Sequence, residues 1–144
     1  MVKKKVFVEG AISPAFIADS IAKHSTKKDI GAHSIFLGQV RNDKIEDKEV
    51  IGIHYECYLD MAEPILDAIR EECFAKYDLT CMHIYHSLGL VNAGEICLFV
   101  FTSSKHRKLA IESCEYLVER IKKEVPIWGK ELFNDEESRW KINQ

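Results

Sequence analysis

The chain holds 144 residues, 47% of them apolar and 30% charged, the balance expected of one globular domain large enough to bury a core. A formal net charge of −3 gives no long-range pull on a polyanion, so general DNA or RNA binding is disfavoured. The opening "MVKKKVFVEG" lacks the apolar run of a signal peptide, and no stretch is long enough to cross a bilayer, which points to the cytoplasm.

In chain order, "KKVFVEG" reads as a short strand. "SPAFIADSIAKH" reads as a helix with Ser13 as N-cap and Pro14 at the first helical position, where its missing N–H costs nothing. "GAHSIFLGQVR" (31–41) alternates as a strand, with Ile35 and Leu37 against Phe36 and Gly38. The polar segment "NDKIEDKEV" (42–50) has no usable period and is expected to be a mobile loop. "VIGIHYECY" (50–58) alternates again, and a helix over residues 60–77 follows, with Ala62, Leu66, Ile69, Cys73 and Tyr77 on its stripe.

"LTCMHIYHSLG" and "EICLFVFTS" read as two strands joined by the turn "GLVNAGE", with Gly89 and Gly94. The last long helix runs from Ser104 to Glu124, with Ala110, Cys114, Leu117, Val118, Ile121 and Val125 on one stripe, and Pro126 stops it. Trp128 and Phe133 beyond the proline read as packing anchors. Strands and helices mix without strict alternation, so the fold class is α+β. The cysteines (57, 73, 81, 97 and 114) contain no C-x-x-C and sit among apolar neighbours, as small buried hydrophobes do in a reducing compartment.

Several groups invite a chemical reading. His83 and His86 form H-x-x-H near Cys81, but alternation along a strand sends the two imidazoles to opposite faces. No further ligand stands at a helpful spacing, so no metal site is expected. No nucleophile signature such as G-x-S-x-G is present, and apolar surroundings would hold the thiols protonated.

"SSKHRK" (103–108) opens the last helix, where free backbone N–H groups favour an anion. Lys105, His106 and Arg107 oppose the helix dipole there, so the segment is either an anion site or a solvated basic turn. Arg41 closes an apolar strand as a phosphate clamp or as half of a surface ion pair. Lys122 shares its helix side with Lys108, Glu115 and Glu119, so by periodicity it is a solvated lysine. Residue types alone describe an α+β domain with two or three anion-friendly spots.

Five pieces in order, "GAHSIFLGQVRN", "HYECYLDMA", "HSLGLVNAGE", "TSSKHRKLAIESCEYL" and "KKEVPIWGKE", resemble the large catalytic subunit family of molybdopterin synthase. The match extends from the first strand to Trp140. The resemblance implies a hammerhead-like α/β domain with a mixed, largely antiparallel sheet. It implies a homodimer carrying one small ubiquitin-like sulfur-carrier subunit on each large subunit, in a heterotetramer. The small subunit ends in a Gly-Gly thiocarboxylate, and its sulfur goes to precursor Z, a cyclic pyranopterin monophosphate. Two transfers build the dithiolene of molybdopterin and open the cyclic phosphate, with no metal or other cofactor in the large subunit.

By the same resemblance, Lys122, Lys130 and Arg41 are the catalytic positions, and Phe36, His106, Arg107 and Arg139 bind substrate. Gly129 stands where relatives carry a second lysine, and Lys130 is its substitute. His86 matches a family histidine, while Ser87 stands where an arginine often follows it. The chemistry suits these types, because a phosphate-bearing substrate and an anionic tail must meet. Clustered cations would also depress one another's pKa values and let a lysine exchange protons. A non-catalytic module that binds a carrier tail or a phosphate ligand is the alternative.

Residues 106 and 122 lie about 24 Å apart along a helix at about 1.5 Å per residue. They also point about 160° apart at roughly 100° per residue. If both serve one site, His106 and Arg107 come from a second subunit.

Overall fold

A computed structural model describes residues 6–135 and 138–140; Lys3 to Lys5 of the opening basic run lie outside them. The first elements are β1 (Phe7–Glu9) and α1 (Pro14–His24), whose N-terminus is closed by the Phe16 amide donating to Ser13 Oγ at 3.1 Å. Then come β2 (Ala32–Gln39), β3 (Lys44–Ile45), β4 (Lys48–Cys57) and α2 (Leu59–Lys76). β5 (Cys81–Asn92), β6 (Ile96–Ser104), α3 (Arg107–Glu124), β7 (Ile127–Phe133) and β8 (Ser138–Trp140) complete the order.

The strands form one eight-stranded sheet with the path β2-β6-β5-β4-β7-β8, to which β1 adds on β5 and β3 on β4. Only β1 runs parallel to its neighbour among the described pairs, so the sheet is mixed and largely antiparallel, as expected for the α+β class. β5 is the common member: Cys81 to His86 pair with β6, His86 to Leu88 with β1, and Gly89 to Asn92 with β4.

Alternation along β6 divides the interior. Leu98 and Val100 join the aliphatic core with Leu66, Ile69, Leu117 and Ile121 from α2 and α3. Phe99 and Phe101 face the other way and pack with Ile12 and Ile17 at and in α1. Leu117, Val118 and Ile121 are buried, each worth about 1.5–3 kcal/mol of transfer free energy. That stripe runs along α3, which is continuous for 18 residues.

The structure departs from the sequence reading in three places. Residues 42–50, expected as a loop, hold the β3–β4 hairpin, with Glu46 at φ 58° in its turn and Val50 buried. Gly89, expected in a turn, lies inside β5 at φ 80°, where the strand changes partners. The chain after Pro126 forms the β7–β8 hairpin, which adds β7 to β4. Phe133 is buried there as an anchor, but Trp128 is 51% exposed and anchors nothing within the described residues.

Candidate functional site

The C-terminal end of α3 and the start of β7 wall a narrow pocket of about 50 Å³, lined among others by Tyr55, His86, Cys97, Lys122 and Gly129. β4 and β7 position two of these directly, since Tyr55 and Gly129 are register partners. Lys122 is exposed at this pocket, in the last turn of α3, where a cation favours the helix dipole.

His86 comes from the α3-facing side of β5 and is 8% exposed. Burial lowers its pKa to about 4, and the Lys122 charge adds to the shift. Its Nδ1 donates to the Ser87 carbonyl at 2.8 Å, so Nε2 is left as a neutral acceptor. Burial pushes the Tyr55 phenol well above its ordinary value, helped by the Cys97 thiol and the Glu131 carboxylate. Near neutral pH the pocket therefore combines an ammonium with an uncharged imidazole and an uncharged phenol.

Gly129 explains why the expected second lysine is absent. A Cβ at this position would lie 2.9 Å from Ile53 Cγ2 and 3.2 Å from Tyr55 Cε1. The Tyr55 ring occupies the room a side chain would need. Lys130, expected as the substitute, does not reach this pocket: it pairs in register with His54 on the opposite face of the strand. Its Nζ lies 5.8 Å over the Trp140 ring.

The remaining expected site residues are dispersed. Arg41 lines a separate, open pocket of about 570 Å³ with Gln39, Asn42, Glu49 and Ile51. Its Nη2 lies 3.3 Å from Asp43 Oδ2, an exposed ion pair. Phe36 sits in a groove between β2 and α3 with Ile111, Cys114 and Val118. His106 and Arg107 are exposed at the opposite end of α3, and His106 is its N-cap without a side-chain cap bond. Arg139 Nε donates to Glu131 Oε1 at 3.1 Å, a carboxylate that is 4% exposed. The expected cluster of Arg41, Lys122 and Lys130 does not form within one chain.

His83 and His86 do face opposite sides of the sheet. His83 Nε2 lies 2.9 Å from His24 Nε2, beside Cys81, while His86 stays with the α3 pocket. The sequence reading found no third ligand because His24 stands 59 positions earlier on α1. Tyr55 and Glu131 are not among the residues expected from the sequence; the signal for Tyr55 is its place two residues after buried Ile53 on an alternating strand.

A family model described as "MoaE protein" matches residues 11–124. The molybdopterin synthase catalytic subunit of Bos taurus is 38% identical over 114 residues, 79% of this chain and 60% of that protein. The chain thus spans about 60% of the length of such curated relatives. The crystal structure of molybdopterin synthase from Staphylococcus aureus superposes with a TM-score of 0.83 at 32% identity, covering 99% of both chains. A complex of subunits 1 and 2 of molybdopterin-converting factor from Helicobacter pylori shares the fold, with a TM-score of 0.80 at 22% identity over 96% of this chain and 90% of that one. By the family match and the shared fold, the chain belongs to the MoaE protein family.

Proposed function

We propose that the chain is the catalytic subunit of a cytoplasmic molybdopterin synthase. It moves sulfur from the C-terminal thiocarboxylate of a small ubiquitin-like subunit to precursor Z. The observation that carries this reading is Lys122 beside the narrow pocket of Tyr55, His86 and Gly129. The pocket suits a slender Gly-Gly end, because a tail without side chains needs little width.

Lys122 offers positive charge to the thiocarboxylate and to the negative charge that develops when sulfur adds to the pterin. Uncharged His86 and Tyr55 leave that charge uncontested by a carboxylate at the pocket wall. A fused-ring substrate with a phosphate needs more room, and it lies across a subunit boundary in this proposal. The unbroken α3 supports that arrangement, since His106 and Arg107 of one chain cannot approach its own Lys122. Arg41 and Arg139 serve the substrate phosphate after leaving Asp43 and Glu131, and Lys130 lies outside the first contacts. Phe36 contributes apolar wall beside α3.

Incubation of the chain with thiocarboxylated partner and precursor Z should give the dithiolene product. Lys122→Ala should lower turnover by at least about a hundredfold, the scale of losing one transition-state charge contact, with the dimer unchanged by sedimentation. Near-normal turnover in that variant would return Lys122 to a solvated helix face. Gly129 in place of a lysine favours a second reading, a module that docks the carrier tail without chemistry. Complex formation without any dithiolene from the unaltered chain would select it.

A further inference from the structure

On the side of the sheet away from Lys122, α1 brings His24 down onto the start of β5. Cys81 and His83 stand two residues apart on that strand and so share a face. A ring nitrogen of His24, one of His83 and the Cys81 Sγ all lie within 4.8 Å of one another, and the two Nε2 atoms are 2.9 Å apart. His24 is 8% exposed and Cys81 6%, so the group is set into the molecule rather than scattered over its surface. We infer that His24, Cys81 and His83 form a binding site for a single borderline d-block cation, zinc by ligand type.

Two of the three ligands are held in place by neighbouring groups. The His24 Nδ1 donates to the Ser20 carbonyl at 2.7 Å, which fixes the ring and directs the Nε2 lone pair toward His83. This outer hydrogen bond to a backbone carbonyl is the usual support of a metal-bound imidazole. Lys27 Nζ donates to Cys81 Sγ at 2.8 Å, which fixes the sulfur on the α1 side of the strand. His24 is also the last residue of α1, where the helix dipole favours positive charge.

The dimensions fit with little adjustment. Two imidazole nitrogens at about 2.0–2.1 Å from a tetrahedral zinc stand roughly 3.3 Å apart. The two Nε2 atoms are at 2.9 Å, so a small opening of the pair admits the ion between them. Two imidazoles and a thiolate suit zinc over magnesium or calcium, which take oxygen ligands. Three protein ligands leave the fourth position to water. The site shares no residue with the Lys122 pocket, and its failure would leave the proposed function untouched.

The full-length chain, stripped with a chelator, is titrated with cobalt and then zinc. Cobalt should bind one equivalent per chain, with a thiolate-to-metal charge-transfer band that zinc abolishes. Cys81→Ser should remove that band. His24→Ala and His83→Ala should each weaken zinc binding by more than about a hundredfold, beyond the 10- to 100-fold typical of an outer-shell change. His54→Ala and Cys57→Ser, away from the cluster, should change neither reading. Absence of stoichiometric binding by the unaltered chain overturns the site, as does a sulfur band that survives Cys81→Ser. The unaltered chain and Cys81→Ser decide the matter even if a histidine variant does not fold.

Discussion

The two ends of α3 carry similar positive charge in opposite surroundings. At the N-terminal end Lys105, His106 and Arg107 are all exposed, against a helix dipole that repels them. At the C-terminal end Lys122 agrees with the dipole and stands over buried His86 and half-buried Tyr55, both uncharged. Charge at the first end is solvated, and a bound anion or a second subunit would offset the dipole's mild repulsion there. Charge at the second end is already set into a shaped pocket. In the proposed function, one helix offers half a site at each tip and two copies of the chain complete it.

The largest test of that contrast is acid. His86 has a folded pKa of about 4 against an unfolded value near 6.5, so the unfolded chain binds the proton first. Stability contributed by neutral His86 is present above about pH 6.5 and is lost as pH falls toward 4, by an amount on the order of 3 kcal/mol. Urea unfolding across that window should show the loss, and His86→Gln should flatten it. An unchanged slope in the variant would mean that the pocket end is not buried in the way described.

A smaller effect is expected at Gly129. Gly129→Ala should cost about 1–3 kcal/mol, because the new methyl presses on Ile53 and the Tyr55 ring. A neutral or stabilising result in urea would show that the pocket wall gives way. The smallest effect belongs to the other tip. His106→Ala should shift stability by no more than about 0.5 kcal/mol, since that side chain is exposed and makes no cap bond. A loss of several times that size would place a structural contact where none is described.

Local patterns carried much of the fold into the sequence. The stripe of α3 was readable because every member recurs at helical spacing, and the buried set Ala110, Ser113, Cys114, Leu117, Val118 and Ile121 adds only Ser113 to it. Ser13 and Pro14 marked the start of α1 for equally local reasons. What stayed hidden depends on distant pairing. β7 is a strand because β4, some seventy residues earlier, lies beside it, and its own short pattern after a proline resembles a loop. The direction of Lys130 follows from that pairing, so a substitution argued from adjacency to Gly129 could not foresee it. The same holds for His24 and His83, which meet only because α1 covers the aromatic face of β5 and β6.

β5 gives up its backbone groups to three different strands along twelve residues. Each of its ladder amides therefore exchanges with solvent when the one strand it bonds lets go. Exchange protection along this strand should fall into three stretches, with breaks at His86 and Gly89 where the partner changes. A substitution that loosens β4 then speeds exchange first from Gly89 to Asn92, and one that loosens β6 speeds it first from Cys81 to Tyr85.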